Sequence, residues 1–236
     1  TRFRNVTGVQ TCALPISVSH QRTADQMSRY FSPDVARTIR DGGDRLLAQG
    51  PREQEVVVLF SDLVDYTRTC AGLTPAQALA MLSEYQERMV AEIFKAGGTL
   101  DKFIGDGIMA TFGTPEPAAD AADRAVRAAQ GMMAALAGLN EERQRRAEKP
   151  LAQRIGIHAG PAVVGTVGPP QRLEFGVIGD TVNVAARIEA AGKKTGRSAM
   201  ISAAVLQRLG APVEVDPLGP VALDGQPAPI ELYALR

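Results

Sequence analysis

The order in which strand-like and helix-like segments follow one another constrains the fold of this chain more than any other feature. Glu55 to Phe60 is β-branched and apolar, the composition of a buried strand. Thr74-Pro75 then opens a long helix, in which Leu79, Leu82, Tyr85, Met89 and Ile93 recur at helical spacing and predict the packed face. Gly97-Gly98 ends it. Thr99 to Ile104 and Ile108 to Phe112 read as two short strands, and Gly105-Asp106-Gly107 as the tight turn between them. Asp120 to about Arg146 is Ala-rich and helical, and Arg154 to Ala159 is the next strand. Strand–helix–strand–strand–helix–strand is the split βαβ order of a ferredoxin-like sandwich. The expected class is α+β, with helices on one face of an antiparallel sheet.

The remainder predicts an extra C-terminal strand and helix region. Val163 to Val167 reads as a strand, and Thr181 to Ala191 as a helix closed by Gly192. Met200 to Ser202 is a further strand, with Ser202 capping a helix to Arg208. Val221 to Leu223 and Ile230 to Leu235 form a closing hairpin. Upstream, Ser32-Pro33-Asp34 marks a helix start and Asp41-Gly42-Gly43 its stop, with a linker at Gln49-Gly50-Pro51. Residues 1–16 contain Val6-Thr7-Gly8-Val9-Gln10-Thr11-Cys12-Ala13-Leu14-Pro15-Ile16, which resembles a translated sequencing adapter, and are expected to be a functionless leader. The expected division is leader 1–16, helical linker 17–50 to a missing upstream module, and catalytic domain 51–236.

Composition excludes several classes. Lys+Arg and Asp+Glu both number 26, so net charge offers no case for a nucleic-acid partner or an anionic membrane surface. No apolar run reaches membrane-spanning length. Cys12 and Cys70 make no disulfide framework, and a reducing, cytoplasmic setting is the default.

Two carboxylates stand out by position. Asp62 falls at the C-terminal end of the first strand and Asp106 in the turn between the next two, and in a split βαβ order those ends can lie side by side. Alone, Asp106 reads as an ordinary hairpin-turn residue. Asp65 reads as a loop or capping acid. Asn183 and Arg187 are four apart and share one helix face. His158, in an apolar strand with no second histidine near, reads as a core or hydrogen-bonded histidine.

Three segments match one family in order. They are Leu59-Phe60-Ser61-Asp62-Leu63-Val64-Asp65-Tyr66-Thr67, Asp101-Lys102-Phe103-Ile104-Gly105-Asp106-Gly107, and Leu173 to Glu189, which contains Gly176-Val177-Ile178-Gly179-Asp180-Thr181-Val182-Asn183. Together they resemble the catalytic set of a class III adenylate/guanylate cyclase, over roughly Ser32 to Arg236. The resemblance implies the class III nucleotide cyclase fold and conversion of ATP to 3′,5′-cyclic AMP and pyrophosphate. It implies Asp62 and Asp106 as ligands of two Mg2+ or Mn2+ ions per site, Lys102 as the adenine-contacting lysine, Asn183 as the residue orienting the ribose, and Arg187 as the group holding the α-phosphate as charge builds. Arginine suits that task because its planar fork offers paired donors and keeps its charge. The resemblance further implies a homodimer, with Asp62 and Asp106 from one protomer and Lys102, Asn183 and Arg187 from the other. It implies a regulatory domain upstream, and a cytoplasmic location or a tether to a membrane through that upstream region.

Two positions depart from the family pattern. Gly176 stands where the family usually has Thr or Asp completing adenine recognition with the lysine. Leu223-Asp224-Gly225-Gln226 stands where it often has a lysine-bearing hairpin for the terminal phosphates, with Arg197 as a candidate replacement. These departures keep two alternatives open: a guanylate cyclase, and a non-catalytic cyclase-like module that binds nucleotide or only dimerises.

Overall fold

The computed structural model describes residues 50–169 and 174–236. The expected leader, the linker up to residue 49 and the helix starting at Ser32 lie outside the described residues. The elements, in chain order, are β1 Arg52–Leu63, α1 Tyr66–Cys70, α2 Pro75–Lys95, β2 Thr99–Ile104, β3 Gly107–Phe112, α3 Ala121–Arg145, β4 Gln153–Val167, β5 Glu174–Ile178, α4 Asp180–Thr195, β6 Ala199–Ser202, α5 Ala203–Leu206, β7 Val215–Val221 and β8 Ile230–Leu235.

The sheet runs β2-β3-β1-β4-β6-β8-β7, with β5 also paired to β4. Its first four strands have the ferredoxin-like order, antiparallel throughout, whereas β4 and β6 pair in parallel. Period-2 alternation in β1 divides the molecule into two faces. Val57, Leu59 and Leu63 point into a cluster with Tyr85, Met89 and Ile93 of α2 and Ala125, Met132 and Leu139 of α3. Val56 and Val58 point the other way, against Val177 and Ala185. The two helices of the split unit thus share a face as expected, and α4, beyond that unit, covers the opposite one.

α2 begins where the sequence says it should. Thr74 and Gln77 form a reciprocal capping box, with Thr74 Oγ1 accepting from the Gln77 amide at 3.3 Å and Gln77 Oε1 accepting from the Thr74 amide at 2.9 Å. Its buried stripe is Met81, Tyr85, Met89 and Ile93. Leu79 was expected on that face but is 65 % exposed, because two residues before Met81 lies about 200° around a helix.

Four other expectations need correcting. Arg154 to Ala159 and Val163 to Val167 are one continuous strand: β1 pairs across Gly160 and Pro161, which face Val56 and Glu55. Neither β5 nor β6 pairs in that stretch, so a proline is tolerated there. Gly192 does not close α4. The helix runs on to Thr195, and Gly196, in the left-handed conformation at φ 68°, caps it with its amide donating to the Gly192 carbonyl. Gly192 is instead a close-approach point, since a Cβ there would sit 2.8 Å from Arg154 Cδ and from the Arg197 carbonyl. Ser202 makes no side-chain cap: its buried hydroxyl lies 2.8 Å from His158 Nδ1, and α5 extends only from Ala203 to Leu206. The closing hairpin starts earlier, with β7 at Val215, so Leu223–Gln226 lies in the β7–β8 connection.

Among the described residues, no helix is long and apolar enough to cross a membrane.

Candidate active site

Asp62 and Asp106 come together at one end of the sheet. Asp62 is the penultimate residue of β1, and Asp106 sits in the two-residue turn joining β2 to β3. Gly105 leads that turn at φ 64°, as a glycine-first hairpin allows. Gly107 follows, where a Cβ would lie 3.4 Å from Asp62 Oδ1 and 3.3 Å from the Ser61 carbonyl, so the turn closes tightly over the carboxylate. Beneath Asp62, buried Ser61 Oγ lies 3.0 Å from Tyr85 Oη, which donates to Gln153 Oε1 at 3.0 Å. This chain ties the ends of β1 and β4 to α2 and fixes the height of Asp62.

Strand register adds a cation. Asp62 pairs directly with Arg154 across β1 and β4, and the Arg154 guanidinium lies 3.6 Å from Asp62 Oδ2. Its Nε donates to Glu189 Oε1 of α4 at 2.7 Å. Burial pushes the Asp62 carboxyl up to about 7, reinforced by a hydrogen bond with Asp106 and by the Asp106 and Glu189 charges, against the opposing pull of Arg154. Two facing carboxylates are a donor set that a divalent cation satisfies, and magnesium asks for few protein carboxylates. An open cleft of about 690 Å³ borders Asp62 and Asp106 with Tyr66, Thr67 and Arg68. Asp65 also lines it. Asp65 is the N-cap of α1 at φ 53°, and its side chain caps nothing, so the expected capping role is met by position alone.

The other candidates gather elsewhere. Lys102, exposed on β2, places its Nζ 3.2 Å from Asp101 Oδ1. Gly176 of β5 faces the same Asp101, whose Oδ2 would be 3.3 Å from a Cβ at 176. Asn183 is exposed on α4, and Arg187 packs against the β7–β8 connection, its Nη2 3.2 Å from where a Gly225 Cβ would stand. That connection is pinned to α4 by Lys194 to Asp224 at 3.0 Å and by Gln226 to Asp180 at 3.3 Å. Arg197 instead faces Asp216 at 3.6 Å, so the cations beside the β7–β8 connection are Arg187 and Lys194. Glu189 turns toward the acid pair, and Arg187, two residues earlier, points about 200° away around the helix. Within one chain the sheet therefore joins Asp62 to Asp106 and Lys102 to Gly176, but turns Arg187 away from the acids.

Sequence reasoning passed over Arg154, Glu189 and Asp101. The signal for Arg154 lay in the antiparallel register of β1 and β4, which cannot be read without the pairing. His158 behaves as expected of a hydrogen-bonded histidine: it is half-buried beside Ser202, and desolvation lowers it to about 4. A second cavity, of about 660 Å³, lies between α1, α2 and the end of α3; its Arg146 is engaged by Glu84 and Arg143 by Glu148.

Comparison with known proteins agrees with this geometry. Residues 48–236 match the model of the adenylate and guanylate cyclase catalytic domain. The chain is 34% identical over 180 residues to adenylate cyclase 1 of Rhizobium meliloti, covering 76% of this chain and 27% of that protein. It is 35% identical over 208 residues to an adenylate cyclase of Anabaena cylindrica, covering 86% and 40% respectively. The chain thus spans well under half the length of these curated relatives. Among solved structures, the guanylyl cyclase Cya2 superposes with a TM-score of 0.72 at 33% identity, covering 79% of this chain and 93% of that one. The adenylyl cyclase CyaB of P. aeruginosa gives 0.73 at 28% identity, covering 79% and 95%. With this fold, this acid pair and these matches, the chain belongs to the class III adenylate and guanylate cyclase catalytic domains, a family that is metal-dependent and binds nucleotides.

Proposed function

We propose that this domain is an adenylate cyclase, converting ATP to 3′,5′-cyclic AMP and pyrophosphate at sites shared by two copies of the chain. The observation that carries the reading is the meeting of Asp62 and Asp106 over a fixed floor, with Arg154 beside them. Asp62 and Asp106 would hold the metals, two Mg2+ or Mn2+ ions per site. When bound, these ions would acidify the 3′-hydroxyl and offset triphosphate charge. Arg154 and its cross-strand partner Asp62 form a charge pair beside the cleft, and Arg154 is suited to take phosphate oxygens once the carboxylates are satisfied by cations.

Arg187 is assigned to the α-phosphate, where a fixed guanidinium counts most as negative charge grows in the transition state. Asn183, one helical turn before it, orients the ribose, and Lys102 meets the purine edge. Because Arg187 turns away from the acid pair of its own chain, the reading requires a second protomer to complete each site. Exposed Phe103 and Ile104, next to Lys102, and exposed Val163 and Ile178, which pair across β4 and β5, support an apolar contact surface of that kind. Cyclic AMP synthesis by such a domain would serve intracellular signalling, under a regulatory region upstream.

Two further readings remain tied to particular residues. Gly176 lacks a base-contacting side chain and Cya2, 33% identical, is a guanylyl cyclase, which favours testing GTP as substrate. Lys194 held by Asp224 at the hairpin leaves triphosphate binding to other cations, which favours testing for binding without turnover. Product analysis with ATP and GTP, each with Mg2+ and Mn2+, over a range of protein concentration separates these readings. Cyclic AMP formation rising more steeply than linearly with protein at low concentration is the expected result; nucleotide binding with no cyclic product would overturn it.

A further inference from the structure

Asp101 has no role in the site as described so far, yet its carboxylate is buried and held from two sides. It is the extra residue of a β-bulge, since β2 pairs Leu100 with Ala110 and Lys102 with Met109. Bulges re-aim side chains, and this one turns Asp101 inward against β5. Its side chain is only 4% exposed. The Val177 amide donates to it, and burial raises its carboxyl above the usual range, with Lys102 pulling the other way. Oδ1 accepts no hydrogen bond from the described residues, although Lys102 Nζ stands 3.2 Å away; the two are an ion pair out of hydrogen-bond alignment.

The opposite wall is Gly176. Nothing in its backbone demands glycine, because its φ lies outside the left-handed region. Space does: a Cβ would stand 3.3 Å from Asp101 Oδ2, and any atom beyond that Cβ would contend with the carboxylate itself. The glycine and the buried acid therefore form a matched pair across β2 and β5.

We infer that Asp101 is a positioning residue for Lys102 and takes the place of the side chain absent at Gly176: its buried carboxylate, anchored by the Val177 amide, holds the Lys102 ammonium at the purine edge. The inference rests on the assignment of Lys102 to the base. A lysine ammonium sits on a flexible stem with three donors. Holding it by charge rather than by a hydrogen bond leaves its donors for a ligand and removes part of the ordering cost of binding. A buried carboxylate in turn needs a nearby cation, so each partner stabilises the placement of the other.

The test is a double-mutant cycle on kcat/KM for ATP with D101N and K102A. D101N keeps an acceptor for the Val177 amide and removes the charge. K102A is expected to lower kcat/KM about 30-fold and D101N about 10-fold, chiefly through KM, with the double variant no worse than K102A. Additive losses would reduce Asp101 to a brace between strands and overturn the inference. The second arm moves the carboxylate across the strands. G176D alone should lower Tm and activity by crowding Asp101, and D101A/G176D should recover both. A G176D protein as stable and active as wild type would equally overturn it. If the wild type makes no cyclic product, the cyclase reading fails separately, the cycle is read on Kd for a fluorescent ATP analogue, and the melting arm stands unchanged. Should D101N not fold, D101A/G176D, with and without K102A, replaces it in the cycle.

Discussion

The two ends of the candidate site are built differently within one chain. Asp62 and Asp106 meet over the Ser61–Tyr85–Gln153 chain, and Arg154 stands between Asp62 and Glu189 as the cation of that end. Asn183 and Arg187 lie on the outer side of α4 with no carboxylate of the acid pair before them. One end is complete and dense; the other presents groups outward. On the proposed reading a second copy turns the two halves toward each other, and a C2 axis does this twice.

The contrast is broken most severely at the acid end. Asp106→Asn or Asp62→Asn should lower kcat by roughly 10³-fold or more, because each halves the two-carboxylate set. The same variants should lose the rise in Tm that Mg2+ or Mn2+ gives the wild type, while far-UV circular dichroism stays unchanged. A variant with wild-type turnover would remove that residue from the metal site.

Arg187→Ala strikes the outward end. It should lower kcat by about 10²–10³-fold with a much smaller change in KM, the mark of a group that acts on transition-state charge. An effect confined to KM would move Arg187 to ground-state binding. Arg154→Gln sharpens the comparison further, because Arg154 belongs to the dense end structurally as well as electrostatically. Removing it leaves the partly buried Glu189 without its cation, so stability should drop by about 2 kcal/mol alongside turnover. Arg187→Ala, at a half-buried position, should leave Tm nearly unchanged.

The smallest effect lies away from both ends. Burial holds His158 neutral, with its ionisation lowered from 6.5 to about 4. The unfolded chain therefore binds more protons than the folded one between those values, so stability is full above about pH 6.5 and falls as pH drops toward 4. Between pH 7.5 and 5 the loss attributable to His158 should be about 1–2 kcal/mol after allowance for solvent screening, and absent in His158→Gln. An identical pH profile in the variant would assign the loss to other groups.

Much of this was legible in the sequence because it depends on local order. The split βαβ unit follows from strand and helix periodicity, the start of α2 from Thr74 and Pro75, and the meeting of Asp62 with Asp106 from strand ends in a known connectivity. What escaped depends on register and packing between distant segments. Arg154 joins the site only because β1 and β4 pair Asp62 with it, and Asp101 faces Gly176 only because a bulge turns it toward β5. Gly192 reads as a helix stop in the chain, and in space it is where α4 must pass close to Arg154. β4 reads as two strands because a glycine and a proline interrupt it, and the pairing with β1 carries the strand through both.

The claim that the halves belong to different protomers has one direct test. Asp106→Asn and Arg187→Ala proteins, each nearly inactive, are mixed and allowed to exchange subunits, with exchange followed independently by fluorescence energy transfer. A mixed dimer holds one site with intact Asp106 and intact Arg187, and one site with both lesions. Random pairing makes about half the dimers mixed, so activity should recover to about a quarter of wild type. No recovery at any mixing ratio, with exchange demonstrated, would contradict the shared-site account and require Asp106 and Arg187 to act together within a single chain.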